Sequence, residues 1–589
     1  MKTTLRLAGV LALPLIITLI ALAHFEAKQA FAQAPRVLGP FVGTPVRVAS
    51  FNGDVRALPT APVVTNDVTL PRLRPRINTN GVVLVAPDPT QQLARAATTM
   101  PTTTINFGGI SQTTFITRNN WPPDPNGDVG RDHYVQAVNH SIGIYSKTGT
   151  LLAAFAYATM FTGTGTFCDT NPRDDPVVWY DQLADRWLFT FFAFRNPSTE
   201  PFYQCFAVAK TSDPVSGGWW LYAMLAHPSY LDDYPKFGMW PDAYYMTANM
   251  DQLGCCFKGV RVWALDRTAM LNGTFSATVN SVYFDLPWDG TCCYSLLPSH
   301  WRGAAPPIGA PNFMVDAEAV SPGSALHLWK FHVDWANPLS STFTGPLTLT
   351  VASYVDVEGF IVPQLGSTEQ VDIGDLKLMA PLAYRRVGNV EALWASQMIS
   401  GSNGATAIRW YEIRDPNGTP TLHQQGTFQP DANFRWMPSL AVDGNGNMAV
   451  GYSVSSAGMF PAIRYAGRLA SDPLGLLQGE ASLIEGTGSQ LGGYNRWGDY
   501  SAMSVDPVDG CTFWYTNMVY ETTGSNWHTR IGAFKFPSCG IPTAIALVNA
   551  EAHSESDLPL LTVMVAIGVV ACAVIGWRIA RAVRYDGCG

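Results

Sequence analysis

The sequence predicts an all-β protein, a seven-bladed β-propeller held between an export signal and a membrane helix. Three observations predict it. Short apolar and aromatic runs alternate with tight polar turns along most of the chain. Gly (52) and Pro (42) are spread through it rather than clustered. One unit of apolar run, polar turn and aromatic-rich run returns seven times. Turn residues between short β-forming runs are the mark of a many-stranded β-protein.

Composition narrows the class further. Hydrophobic residues make up 47% of the 589 residues and charged residues 14%, which excludes a disordered chain. The net charge is −8, and Lys and Arg cluster nowhere outside the C-terminal tail. Nucleic acid is therefore not an expected partner, because phosphate binding needs grouped cations.

The ends carry the topology. Lys2 and Arg6 precede an apolar run from Leu7 to Ala23, and Ala30-Phe31-Ala32 supplies a small-x-small exit. Residues 1–32 read as a signal peptide cut near Gln33, with an uncleaved anchor as the rival. Residues 33–100 read as a proline-rich linker, extended and partly disordered, because proline cannot donate to a sheet ladder. After a second linker, 540–557, the uncharged run Leu558 to Trp577 is long enough to cross a hydrocarbon core of about 30 Å as a helix. Arg578, Arg581 and Arg584 follow it, and Glu551, Glu555 and Asp557 precede it. That asymmetry places the tail, 578–589, in the cytoplasm and the propeller outside the cell membrane. A sorting tail clipped after export is the alternative.

Between the linkers, 101–539 reads as the propeller ectodomain. The repeat appears at Asp128 to Asn139, at Asp175 to Phe192, and from Asp233 through the turn Trp240-Pro241-Asp242 to Asn249. A weaker fourth copy spans Pro311 to Phe331, and a fifth Met379 to Ala395. The sixth runs from Pro438 through Asp443-Gly444-Asn445-Gly446-Asn447 to Tyr452, and the seventh from Asp499 to Thr516. The spacing suits blades of about 40 to 50 residues plus insertions. The last copy lacks a strand, which Thr103 to Phe107 can supply and so close the ring. The poor fourth copy leaves six or eight blades as alternatives.

Eight of ten cysteines fall in the ectodomain, and an even count in an exported region favours disulfides. Cys168 is expected to pair with Cys205, and Cys511 with Cys539. The doublets Cys255-Cys256 and Cys292-Cys293 are expected to bridge each other. Zinc is the rival, disfavoured because adjacent cysteines lack the C-x₂₋₄-C spacing. Cys572 and Cys588 are expected to be reduced.

No hydrolase, phosphate-loop or dinucleotide motif occurs. Asp128, Asp175, Asp233 and Asp499 stand just before the first apolar strand of their repeats, so they are expected to converge at one channel mouth. There they would bind a cation or share a proton, unless each caps its own turn. Asp124, Asn126 and Asp128 alternate oxygen side chains in a weak calcium pattern; no cofactor is otherwise required. Arg435-Trp436 and Arg496-Trp497 precede the first strands of the sixth and seventh repeats. Arg beside Trp suits an acidic glycan or peptide, or else is core packing with a stacked guanidinium.

Asn126-Gly127-Asp128-Val129-Gly130 with His133-Tyr134-Val135-Gln136, Asp175 to Trp187, Tyr234 to Asn249 and Trp497 to Tyr515 resemble a family of exported bacterial proteins. That family has a propeller similar to sialidase-like repeats. The resemblance covers about Asn119 to Cys539 and implies a bacterial source and a propeller, but no agreed activity. The sialidase S-x-D-x-G-x-T-W turn is approached only at Thr523-Gly524-Ser525-Asn526-Trp527, which lacks the aspartate.

The leading expectation is a surface-displayed binding module for a glycan or an envelope protein. The alternative is a carbohydrate-active hydrolase or lyase using carboxylates at the channel mouth. A structural envelope component is the third reading.

Overall fold

The computed structural model describes residues 36–60, 88–92, 96–113, 121–195, 201–253, 255–276, 280–290, 293–357, 359, 361–374, 378–492 and 495–539. The expected signal peptide, the second linker, the membrane helix Leu558 to Trp577 and the tail lie outside these residues. So does Cys292. Among the described residues, no helix is long and apolar enough to cross a membrane.

The chain folds into successive antiparallel meanders. The first comprises Asn126–Val129, His133–Val138, Ser141–Ser146 and Leu151–Ala156. The second opens on Val177–Asp181, the third on Leu231–Met239 and the fourth on Leu297–Trp301. The fifth opens on Leu378–Val387, the sixth on Phe434–Val442 and the last on Ala502–Val505. Ile105–Ser111, from far upstream, completes the last meander by pairing antiparallel with His528–Phe534. That is the closure expected of the Thr103 to Phe107 stretch. The opening strands touch one another in sequence, and the last touches the first. The architecture is a β-propeller.

Aromatic side chains weld neighbouring meanders. Trp179 stacks on Phe237 at 4.8 Å between the second and third. Tyr134 stacks on Trp514 at 5.3 Å between the first and last. Such pairs contribute about 0.5–1.5 kcal/mol beyond the area they bury, so aromatic residues of the first and second strands form the interfaces between meanders.

Three expectations are corrected. The stretch from 36 to 100 is not simply a linker: Leu38–Val42 pairs with Ser281–Pro287, Val46–Phe51 with Trp219–His227, and Gln91–Gln92 with Thr421–Phe428. Each adds an outermost strand, where Pro40 and its unpaired backbone are tolerated. The fourth repeat, sought from Pro311, begins earlier at Leu297–Trp301, and Asn312–Ala317 and Gly323–His332 are its second and third strands. The cysteine doublets do not bridge each other: Cys255 is bonded to Cys256, and Cys293 is also disulfide-bonded. The other two pairs form as expected, with Cα atoms 5.8 Å apart for Cys168–Cys205 and 5.6 Å for Cys511–Cys539.

Candidate functional site: a channel mouth and an axial cavity

Five of the opening strands are entered through one backbone device. Asp124, Asp175, Tyr234, Ser295 and Met437 all have positive φ, from 49° to 56°. Proline follows four of them, at Pro125, Pro176, Pro235 and Pro438. A non-glycine residue in the left-handed region costs about 1–3 kcal/mol, and such turns persist where surrounding packing enforces them. The device aligns the repeats structurally. Asp124, not Asp128, is the counterpart of Asp175, and Tyr234 occupies that place in the third repeat rather than Asp233.

The aligned residues meet. Asp124 Oδ1 accepts the Asp499 amide at 2.7 Å, and its Oδ2 accepts Asn139 Nδ2 at 3.0 Å. Asn139 Oδ1 in turn takes the Asp175 amide at 3.1 Å. Asp175 Oδ2 accepts the Tyr500 hydroxyl at 2.8 Å, and the Tyr234 hydroxyl donates to the Asp499 carbonyl at 3.2 Å. Arg496 pairs with Asp499. The Lys236 ammonium stands over the rings of Tyr234 and Tyr500, 4.1 Å from the latter's centroid. Four meanders are tied together at one mouth by these contacts.

Burial governs their protonation. It pushes Asp124 up to about 7, helped by the neighbouring Asp499 carboxylate and opposed by Arg496. It also raises Asp175 well above the usual carboxylate range, with Asp124, Asp233 and Asp499 adding to the rise and Lys236 opposing it. Carboxylates packed this closely cannot all ionise, so the cluster retains a proton near neutral pH. Asp233 acts on the cluster only through its charge on Asp175.

Asp128 lies elsewhere. Its Oδ2 accepts the Tyr180 amide at 2.7 Å and pairs with Arg302, four residues deeper into the first strand than Asp124. Asn126 Oδ1 accepts the Val178 amide at 2.8 Å. The oxygens of the calcium pattern therefore each serve a protein donor. Among the described residues, no cluster of His, Cys, Asp or Glu is arranged to hold a metal ion.

Arg435-Trp436 and Arg496-Trp497 do not form an exposed platform, which corrects that expectation. Trp436 is 0% and Trp497 1% exposed, and their rings meet edge to face at 5.4 Å. The insertion carrying Val357, Val362, Val371 and Ile373 packs against them. Arg435 spends its guanidinium on Asp431 at 2.8 Å and Glu480 at 3.1 Å.

Below the mouth lies a cavity to which every opening strand contributes. Its wall includes Trp179, Phe237 and Tyr384 as apolar faces and Lys236, His300 and Arg302 as polar ones. Burial, and then Arg302, holds the His300 imidazole down to about 3, so it is neutral at physiological pH. Tyr500 lines this cavity while donating to Asp175. The mouth carboxylates thus sit one side-chain layer back from the space a ligand would fill.

Sequence reasoning missed Asp124 as a mouth residue, and Tyr234, Lys236 and Tyr500 altogether. What marks Asp124 and Tyr234 is the left-handed backbone they share with Asp175 and Met437, each followed by proline.

No protein-family model matches the chain, and no curated protein matches it significantly. Among solved structures, it is similar to the Hadza microbial sialidase Hz136, with a TM-score of 0.32 and 10% identity over 71% of this chain and 66% of that one. The chain therefore spans just under two thirds of that sialidase. It is also similar to a thermostable family-43 glycoside hydrolase, with a TM-score of 0.26 and 14% identity over 62% of this chain and 90% of that one. The WD40 domain of SCAP from fission yeast is a third, at a TM-score of 0.29 and 10% identity over 68% and 79% of the two chains. Likenesses of this size carry no argument about activity.

Proposed function

We propose that the chain is an exported, membrane-tethered propeller of seven blades that binds a small ligand, a glycan, in its axial cavity. The supporting observation is the cavity itself, walled by every opening strand, with aromatic faces beside a few fixed polar groups. Pockets of that mixture hold small molecules, with aromatic rings stacking on sugar faces and polar groups setting orientation. The outward placement of the propeller rests on the sequence of the two ends. The test is a glycan array probed with the purified chain, followed by calorimetry. Ala441→Phe, which fills the cavity from its wall, is expected to abolish binding. An array without a single saturable hit sinks the glycan form of this reading and leaves an envelope protein as the partner to test.

One observation favours a second reading, a glycoside hydrolase. Asp124 and Asp175 hold a proton near neutral pH beside the ion-paired Asp499, as an acid and a base would. Against it, each of these carboxylates already accepts hydrogen bonds from the protein or pairs with Arg496. Turnover of nitrophenyl glycosides by the chain, lost in Asp175→Asn, would establish the hydrolase instead.

A further inference from the structure

We propose that the cleft between the fifth and sixth meanders is a second binding site, distinct from the axial cavity, for a compact organic anion bearing a carboxylate or phosphate. The cleft is lined by Arg385, Arg414 and Arg468, with Glu412 as its one carboxylate.

Two of the three arginines are buried without an ion-pair partner among the described residues. Arg385 is 5% and Arg468 2% exposed. Arg385 Nε donates to the Asp443 carbonyl at 3.0 Å, and Arg468 Nη2 to the Asp472 carbonyl at 2.6 Å. Neither forms an ion pair with a described residue, and the Nε of Arg468 is buried with no acceptor. The Glu412 oxygens are hydrogen-bonded by Arg414 Nε at 2.6 Å and by Gln424 rather than by either of these arginines. Asp443 attracts the Arg385 guanidinium, and Glu412 and then Asp472 that of Arg468, only through space, while Arg302 repels the first and Arg414 the second. Burial accordingly pushes Arg385 down to about 10 and lowers Arg468 as well.

A buried guanidinium without an anion is costly, and the planar fork matches a carboxylate or phosphate in bidentate geometry. The cleft is larger than an inorganic ion needs and is partly apolar. Trp394, which lines it, stacks on Trp410 with centroids 6.1 Å apart, and Arg468 lies over Trp410 at 5.8 Å. Val387 and Val390 form an exposed apolar rim. An anionic group at the arginines with a sugar-sized body against the rim satisfies both halves. The arginine–tryptophan chemistry sought at Arg435-Trp436 and Arg496-Trp497 is thus found here, on residues far apart in sequence.

The test is calorimetric titration of the full chain with D-glucuronate, with D-glucose 6-phosphate and with neutral D-glucose. At least one anion is expected to bind saturably and glucose not at all; which anion binds tells carboxylate from phosphate. Val387→Asp, which sets a like charge on the exposed rim, and Arg468→Met are each expected to weaken that binding by about tenfold or more. Should Arg468→Met fail to fold, Val387→Asp decides. The proposal is overturned if neither anion binds, if glucose binds as tightly as the anions, or if the folded variants bind like the parent.

Discussion

The Tyr500 hydroxyl donates to Asp175 Oδ2 at 2.8 Å, joining the end of the ring to its second meander across the channel mouth. That contact makes the protonation of the mouth a stability matter. Asp124 is raised from 3.8 to about 7. Asp232, both of whose oxygens are buried without a partner, is raised to about 8 by burial. A carboxyl whose folded value lies above its unfolded one adds stability that is complete below about pH 4 and lost as pH rises through the folded value. Melting temperature is therefore expected to fall between about pH 5 and about pH 8. Asp124→Asn keeps an acceptor for the Asp499 amide and should flatten that slope, with a gain of about 1–2 kcal/mol at the alkaline end. A scan by differential calorimetry at several pH values checks it.

Glu480 binds two arginines, Arg435 at 3.1 Å and Arg464 at 2.7 Å, and accepts the Tyr452 hydroxyl at 2.9 Å. Removing one member of a buried ionic network strands the others. Glu480→Gln should cost about 3–5 kcal/mol in urea unfolding.

The Cys168–Cys205 bridge spans 37 residues, so Cys168→Ala with Cys205→Ala should cost about 4 kcal/mol by chain entropy. Cys255 and Cys256 are neighbours, and the loop they close is too short to constrain the unfolded chain. Replacing both with serine should change stability by less than about 1 kcal/mol. Thermal unfolding of the two double variants separates the cases.

Deleting residues 36–52 would strip the outermost strands from Trp219–His227 and Ser281–Pro287. Two bare sheet edges are templates for pairing with other chains. Light scattering should show association that rises with protein concentration more steeply than for the intact chain.

The oxygens of Asn126 and Asp128 accept backbone amides, and those of Asp124 an amide and Asn139. EDTA is accordingly expected to leave the melting temperature unchanged. A drop that calcium restores would establish a cation site instead.

How much of this was legible depended on the range of the information. Val442 to Met448, with Asp443-Gly444-Asn445-Gly446-Asn447 between apolar runs, announces its hairpin locally, and the closing strand near Thr103 follows from counting what the last repeat lacks. The fourth repeat was misplaced because Leu297–Trp301 follows the Cys292-Cys293 doublet without a clear turn signal. The N-terminal strands were hidden by prolines, which forbid a central strand but not an outermost one. At the site, Asp128 was chosen over Asp124 because both precede apolar residues. Only the left-handed turn before Pro125 tells them apart, and φ is not written in residue type when the residue is not glycine. Arg385 and Arg468 gave no signal at all, since their cleft is made by two meanders folding side by side.

The pairing of Ile105–Ser111 with His528–Phe534 also sets a timetable. This early strand is among the last to find its place, because its partner emerges only after some four hundred further residues. Leu38–Val42 and Val46–Phe51 likewise wait for sheets not yet synthesised. During synthesis such a chain stays open until its C-terminal portion arrives. Contacts of this sequence separation make folding slow and leave unpaired edges exposed meanwhile. The cell must therefore keep a half-emerged chain from meeting its neighbours, and a truncation near the C-terminus should cost the whole ring rather than one sheet.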